Sequence, residues 1–148
     1  MLRQMTDADV AGATLLIEEF LSQSPTYRTL DFSAGKTFRQ AQELLADEDA
    51  FCWVDDCDGQ IVGVLAGAIR ELPFTMDLVA QDYAFYFAAG HRGQSAIILI
   101  RKFRDWAIAK GARLIMTGIT AGLQNDRVTR LYQRLGFRLA GNVMIMEV

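Results

Sequence analysis

The stretch LVAQDYAFYFAAGHRGQSA, residues 78–96, joins an aromatic strand to a helix through a short polar turn. Its apolar and aromatic side chains predict a strand over residues 78–88. Residues 91–95 (HRGQS) have the polar, glycine-containing composition of a turn, and the periodic apolar residues after them predict a helix from Ala96 to Lys110. A helix start exposes backbone N–H groups and carries partial positive charge, and Arg92 adds a full charge. The turn therefore has the parts of a phosphate site.

Two familiar phosphate motifs do not fit this turn. It is not a Walker loop, because no Gly-Lys-Ser/Thr follows it, and it is not a dinucleotide fingerprint, because the spaced glycines are missing. Many strand–helix junctions also carry a glycine for geometry alone. Taken by itself, the turn leaves a purely structural role open beside the phosphate-binding one.

The rest of the chain predicts one mixed α/β domain over residues 1–148, with no internal repeat and no linker. A helix is expected after Thr6 as N-cap, with Asp9 at the capping-box position. The other predicted elements are an edge strand at Leu2–Met5, a helix at roughly Ala34–Ala46, a hairpin of Ala50–Val54 and Ile61–Ile69 around Asp58-Gly59, a strand at Leu114–Ile119, a helix at Asn125–Leu135, and strands at Phe137–Leu139 and Val143–Val148.

Charge is divided unevenly along the chain. The net charge is −3, yet residues 1–90 contain 5 basic and 15 acidic side chains, whereas residues 91–148 contain 10 and 3. This pattern favours a basic half that meets a polyanion and an acidic half that meets a cation, although solvated faces would also explain it. The acidic total argues against nucleic-acid binding.

Cysteine usage and hydropathy limit the class of protein further. Cys52 and Cys57 match neither a zinc site nor a redox pair, so we expect small, partly buried side chains and no metal. No run approaches ~18 apolar residues, which predicts no membrane contact. The first residues do not have the pattern of a signal peptide, so we expect a cytoplasmic protein.

A second motif lies at residues 125–137, NDRVTRLYQRLGF. Asn125 and Tyr132 are seven residues apart, about two helical turns, and therefore share a helix face. The segment resembles the late motif of the GCN5-related N-acetyltransferase (GNAT) family, Asn…Leu-Tyr-x-x-x-Gly-Phe. Asn125, Leu131, Tyr132, Gly136 and Phe137 match that pattern.

The turn at Arg92 is similar to the acetyl-CoA signature of the same family, Gln/Arg-x-x-Gly-x-Gly/Ala. Arg92 matches the first position, whereas Ser95 and Ile97 stand where the two small signature residues are expected. The chain therefore keeps one of the three defining positions. A hydroxyl at Ser95 replaces part of the backbone access that a glycine would give.

The resemblance covers roughly residues 2–148 and implies a central mixed, mostly antiparallel sheet of six to seven strands flanked by about four helices. It implies acetyl-CoA as co-substrate and an aromatic strand that splays from its neighbour, so that its backbone pairs with the pantetheine arm. The cofactor contacts that it implies are Phe85, Tyr86, Phe87, Ala89, Arg92, Gly93, Gln94, Ser95, Ala96, Asn125 and Tyr132.

The activity that the resemblance implies is direct transfer of an acetyl group to a primary amine of a small molecule or protein. Tyr132 takes the role of general acid to the departing CoA thiolate; a phenol with a pKa near ~10 can protonate a thiolate with a pKa near ~8.5. No motif position fixes the general base. Glu71, at the end of the second meander strand, and Asp82, on the third, are the candidates, and both are also compatible with ordinary surface or turn carboxylates.

The acceptor site is expected beside the loop at residues 22–33, where Tyr27, Arg28 and Phe32 are the candidate substrate-binding residues. An acidic rim from the first half of the chain would favour a cationic amine such as a polyamine, an amino-sugar or a lysine side chain. Arg28 would equally select a carboxylate.

One alternative function stays open at this point. The changed turn at Ser95 and Ile97 favours a non-catalytic domain of the same fold that binds acyl-CoA or a partner protein, whereas the intact pair of Asn125 and Tyr132 favours the enzyme. The apolar segment Val143–Val148 is compatible with a homodimer formed through an edge strand.

Overall fold

One mixed sheet of five strands, in the order β1-β2-β3-β4-β5, organises the chain. The computed structural model describes all residues, 1–148. In chain order the elements are β1 (Leu2–Gln4), a 3-10 turn (Asp7–Asp9), α1 (Val10–Gln23), α2 (Ala34–Leu45), β2 (Ala50–Cys57), β3 (Gln60–Glu71), β4 (Leu78–Phe87), α3 (Gln94–Ala109), β5 (Leu114–Met116) and α4 (Asn125–Arg134).

The first four strands form an antiparallel meander, and β5 lies parallel to β4. A parallel neighbour needs a crossover connection, which α3 supplies. β5 pairs with β4 only from Val79 to Gln81, opposite Leu114 to Met116. From Asp82 to Phe87, β4 therefore has no strand on its β5 side.

Apolar side chains cover both faces of the sheet and form two clusters. The cluster on the α1 and α2 face includes Val10, Leu16, Val54, Ile61, Val64 and Tyr86. The cluster on the α3 and α4 face includes Phe51, Leu65, Ile69, Phe87, Leu99, Ile100, Phe103 and Tyr132. Because both faces are covered, the middle of β3 is buried continuously from Ile61 to Ile69.

A β-bulge interrupts the pairing of β3 with β4. Gly67 lies opposite Asp82 and Ala66 lies opposite Ala84, which leaves Tyr83 as the extra residue. An extra residue changes which side chains share a face of the strand. As a result, Asp82 and Phe85 both point to the α3 and α4 face, although they are three residues apart.

The structure confirms the mixed α/β class and most predicted elements, and Thr6 and Asp9 form the expected capping box. The strand count is the main correction, because five strands form instead of six to seven. The strands predicted at Phe137–Leu139 and Val143–Val148 are absent, and residues 138–148 are exposed with no regular structure. An apolar sequence becomes a strand only where a neighbour accepts its backbone hydrogen bonds, and this segment has none.

None of the helices combines the length and the apolar character needed to cross a bilayer.

Two glycines allow bulky rings to cross β3. A Cβ added at Gly63 would lie 2.3 Å from the Phe87 ring, and one added at Gly67 would lie 2.4 Å from the Gln81 carbonyl oxygen and 3.0 Å from the Phe103 ring. Phe87 therefore packs directly over the backbone of Gly63, which anchors the end of β4 that borders the open edge.

We predict that Gly63→Ala destabilises the fold by about 1–3 kcal/mol, because the new methyl group overpacks against Phe87. Urea denaturation followed by tryptophan fluorescence measures the change. Gly141→Ala is the matched control, since a Cβ there meets no atom within 4 Å and should leave the denaturation midpoint unchanged. Equal midpoints for the two variants would contradict the packing argument.

Candidate active site

A cavity of about 980 Å³ opens where β4 loses its strand neighbour. Its walls come from the second half of β4, the start of α3, residues 118–124, one face of α4 and the last turns of α1. The open backbone edge of β4 runs along this cavity. A ligand with amide groups can therefore add to the sheet as an extra strand would.

Asp82 lies in this cavity at the bulge. Its side chain is half-buried, and its Oδ1 accepts a 3.3 Å hydrogen bond from the backbone N–H of Gly118. Burial disfavours the charged carboxylate and raises the pKa of Asp82 to about 6, although the Gly118 hydrogen bond opposes the shift. A carboxyl group with this pKa is charged at neutral pH and can still accept a proton.

Tyr132 lies in the same cavity, and its ring belongs to the core. The residue is 4% exposed, and its ring packs edge-on against Phe85 and Phe137 with centroids 6.3 and 5.1 Å apart. Burial raises the pKa of the Tyr132 phenol well above its usual value, the nearby Asp82 charge raises it further, and a hydrogen bond with Thr117 lowers it. The phenol is therefore protonated at neutral pH and remains available as a donor.

The start of α3 provides free backbone donors. The helix begins at Gln94, two residues earlier than predicted, and the preceding Gly93 makes no side-chain cap. A Cβ at Gly93 would meet no atom within 4 Å, so the space in front of the first turn is open. Ile97 also lines the cavity here, whereas Ser95 does not. The site keeps the helix-end geometry of an anion site and has an apolar side chain beside it.

Arg92 is held in place by the end of β4. Its Nε donates a 3.1 Å hydrogen bond to the Phe87 carbonyl, and its guanidinium lies 5.5 Å from the centroid of the Tyr86 ring. The Tyr86 hydroxyl in turn donates to Glu19 at 2.9 Å and lies 3.1 Å from the Gln23 amide oxygen. One chain of contacts thus connects the turn before α3 to the last turns of α1.

α4 adds positive charge to the cavity. Asn125 is its first residue, and Arg127, Arg130 and Arg134 lie together on a different side of the helix; all four are exposed and line the cavity. Residues three, four and seven apart share one helix face. This face therefore presents three guanidinium groups to the cavity that the first turn of α3 also lines.

The opposite wall, formed by α1 and the loop that follows it, is apolar and fixed by contacts to residues 120–122. Ser24, which is fully buried, donates to the Ala121 carbonyl at 2.5 Å, and the hydroxyl groups of Tyr27 and Thr120 are hydrogen-bonded. Pro25 packs against Gly122. The residues of this wall are Ile17, Phe20, Leu21, Tyr27, Ile119, Thr120, Ala121 and Leu123.

The structure brings most of the candidate site residues together around this cavity. Those lining it are Tyr27, Asp82, Phe85, Tyr86, Phe87, Arg92, Gly93, Gln94, Ala96, Asn125 and Tyr132. The others lie outside its walls: Glu71 is exposed at the far end of β3, Ala89 and Arg28 are exposed, and Ser95 and Phe32 are half-buried. Of the two candidate bases, only Asp82 shares a cavity with Tyr132.

The expected acidic rim is not formed. Asp82 is the only carboxylate that lines the cavity. The other acidic residues lie elsewhere, and several are already paired: Asp9 and Asp56 bind Arg3, and Asp47 binds Arg70. Charge counted along the sequence could not show this, because it does not tell which acidic side chains fold around the cavity; Glu19 contacts the lining residue Tyr86, but of the carboxylates Asp82 alone lines the cavity.

Sequence reasoning missed the arginines of α4 and the apolar wall of α1. The spacing of Arg127, Arg130 and Arg134 on a helix with Asn125 and Tyr132 was a usable signal. The side chains of Ile17, Phe20 and Leu21 carried no comparable signal, since an apolar helix face predicts core packing in the first instance.

Comparisons with known proteins agree with this geometry. The family model described as the acetyltransferase (GNAT) family matches residues 14–137. Among curated proteins, none matches the sequence. One similar solved structure is a transcriptional regulator from Bacillus halodurans C-125, with 19% identity and a TM-score of 0.77, covering 100% of this chain and 99% of the other. A second is the aminoglycoside 6'-N-acetyltransferase AAC(6')-IG from Acinetobacter haemolyticus, with 20% identity and a TM-score of 0.73, covering 100% of this chain and 97% of the other. A third is the aminoglycoside N-acetyltransferase AAC(6')-Iy in complex with CoA, with 17% identity and a TM-score of 0.75, covering 100% of this chain and 93% of the other.

At these identities the solved structures establish a shared fold, whereas the family model covers most of the sequence and includes both motifs. The resemblance drawn from the residues around Arg92 and Tyr132 is thereby confirmed. The chain belongs to the acetyltransferase (GNAT) family and is an acyltransferase of the N-acetyltransferase type.

Proposed function

We propose that this N-acetyltransferase uses acetyl-CoA and moves the acetyl group directly to a primary amine, with Asp82 as general base and Tyr132 as general acid. One observation carries the proposal: the Asp82 carboxyl and the Tyr132 phenol share one cavity beside the open edge of β4. The acceptor is a small molecule or a protein amine.

The cavity suits a coenzyme A group. A pyrophosphate needs donors and positive charge, which the uncapped first turn of α3, Arg92 and the three α4 arginines supply. The amides of a pantetheine arm need backbone partners, which β4 offers between Asp82 and Phe87. Asn125, at the start of α4, also lines the cavity and can bond to the arm. When bound, acetyl-CoA supplies an activated acetyl carbonyl and a thiolate leaving group.

Asp82 and Tyr132 have complementary protonation states for this reaction. An amine attacks only as the free base, so a group must take its proton; a carboxylate with a pKa of about 6 is ready to do so at neutral pH. The departing thiolate needs a proton, and a phenol whose pKa is raised by burial still holds one. Two groups whose environments keep one charged and the other neutral form a workable acid–base pair.

A non-catalytic acyl-CoA-binding domain is the second candidate, and the Ile97 side chain at the start of α3 favours it. Acetyl-CoA is expected to raise the melting temperature by several degrees, and free thiol is expected to appear with at least one amine of a chemically varied panel. Stabilisation without thiol release on any amine would support the binding domain. Absence of stabilisation would contradict both functions.

We predict that Tyr132→Phe lowers kcat about 10- to 100-fold and changes acetyl-CoA affinity by less than about twofold. The substitution removes the hydroxyl and leaves the ring contacts with Phe85 and Phe137 in place. Steady-state kinetics and calorimetric titration of acetyl-CoA measure the two effects. A large loss of affinity with unchanged kcat would assign Tyr132 to binding.

We predict that the wild-type kcat rises as pH increases through about 6, because Asp82 must lose its proton to act as a base. Asp82→Asn should lower kcat by about 100-fold or more and abolish this rise. Glu71→Gln is the matched control, since Glu71 is exposed and lies outside the cavity, and it should keep the wild-type pH profile. The reverse result would assign the base to Glu71.

A further inference from the structure

The wall that faces the acceptor side of the cavity is aromatic and aliphatic. Phe20 lies at its centre, with its ring centroid 5.1 Å from that of Tyr86 and 6.5 Å from that of Tyr27. Ile17, Leu21 and Leu123 extend the apolar surface on either side. A wall of this kind binds a ligand by removing apolar area from water.

The polar groups near this wall are already engaged. The Tyr86 hydroxyl donates to Glu19 and lies within hydrogen-bond distance of Gln23, and the Tyr27 and Thr120 hydroxyl groups are hydrogen-bonded to one another. Two of the three hydroxyl hydrogens of Tyr27, Tyr86 and Thr120 are therefore already used within the protein.

The wall also has a fixed position. Ser24 bonds to the Ala121 carbonyl and Pro25 packs on Gly122, so the loop after α1 is tied to the loop after β5. A wall tied down in this way keeps its shape when a ligand enters, which favours a compact side chain that fits the space over an extended polar chain.

Charge in the cavity opposes a polycation. Asp82 is the only lining carboxylate, and the proposed reaction already uses it. The other charged lining residues are Arg92, Arg127, Arg130 and Arg134. A second ammonium group on the acceptor would find no second carboxylate lining the cavity and would be repelled by these arginines, and Glu19, the carboxylate bound to the lining residue Tyr86, already accepts the hydroxyl of that tyrosine.

We infer that the acceptor is a primary amine carrying one aromatic or branched apolar group and no second cationic group. This inference rests on the proposed transfer to an amine at the same site. It sets this cavity apart from one built for a polycationic amino-sugar, because such a ligand needs carboxylates that this cavity lacks.

The test is a thiol-release assay with acetyl-CoA on two sets of amines. The first set is 2-phenylethylamine and isoamylamine, and the second is spermidine and kanamycin. We expect kcat/KM for 2-phenylethylamine to exceed that for spermidine about 10- to 100-fold, the range expected from burying one ring. A preference for spermidine or kanamycin would overturn the inference and leave the proposed transferase function intact.

A matched pair of variants on α1 locates the binding surface. Phe20→Ser should raise KM for 2-phenylethylamine about tenfold or more while acetyl-CoA affinity stays within about twofold. Leu15→Ser is the control, because Leu15 is on the same helix, is 66% exposed and lies outside the cavity; it should behave as wild type. Equal KM values in the two variants would overturn the assignment of the wall.

Calorimetry on the wild-type protein with CoA separates the two proposals and does not depend on the variants. Binding of 2-phenylethylamine without thiol release on any amine would support the apolar acceptor wall and contradict the transferase function. Absence of such binding, together with absence of release from the aromatic and branched amines, would overturn the inference.

Discussion

The second half of β4 lacks a strand neighbour on one side, and the rest of the site depends on this missing pairing. Backbone N–H and C=O groups buried without partners are costly, so a sheet normally closes such an edge. Here β5 stops at Met116, and the edge from Asp82 to Phe87 faces the cavity instead. β3 holds the opposite side of β4, and Phe87 packed over Gly63 fixes its end. The opening is therefore rigid, although it is unpaired.

The bulge at Tyr83 decides what this opening can do chemically. Without the extra residue, strict alternation would place Asp82 and Phe85 on opposite faces of β4. With it, a carboxyl group and the ring that supports Tyr132 share one face. The Tyr132 phenol, the Asp82 carboxyl and the free backbone edge come together because one residue is inserted at one point of a single strand.

The fold class, the meander, the cavity-forming strand and the two motifs could be predicted from the sequence, because the spacing of apolar residues and the residue types of turns are local properties. Asn125 and Tyr132 were identified through the resemblance to the late GNAT motif, with helical spacing placing them on one face, and Arg92 and Gly93 by their place before a helix. No local sequence pattern indicates the bulge at Tyr83, so the sequence could not distinguish Asp82 from Glu71 as the candidate general base. The wall of Phe20 and Leu21 depends on contacts across the sheet, which no periodicity records.

The final segment shows the same limit of sequence-based prediction, in this case for a strand that was predicted and does not form. Val143–Val148 has the composition of a strand, yet its residues are exposed and unpaired. Composition reports how well a segment would fit into a sheet, whereas the pairing itself depends on whether an edge is within reach. The strand count of five follows from that difference.

Charge is arranged by face and not by position in the sequence. Arg92 and the arginines of α4 concentrate positive charge in the cavity, whereas several carboxylates of the first half are paired with arginines away from it. One carboxylate, Asp82, lines the cavity, at a raised pKa. The electrostatics therefore separate the arginine groups from the Asp82 carboxyl, the two parts to which the proposed function assigns the phosphates and the proton transfer.

The hydrogen bond from Ser24 to the Ala121 carbonyl joins residues 97 positions apart. Contacts this distant along the chain must overcome the entropy of closing a long loop before they return any stability. Sheet and helix contacts between residues that are near in sequence form without closing such a long loop. We therefore expect the apolar wall to complete late in folding, because Phe20 and Tyr27 face a surface that residues 119–123 supply only after this long loop has closed.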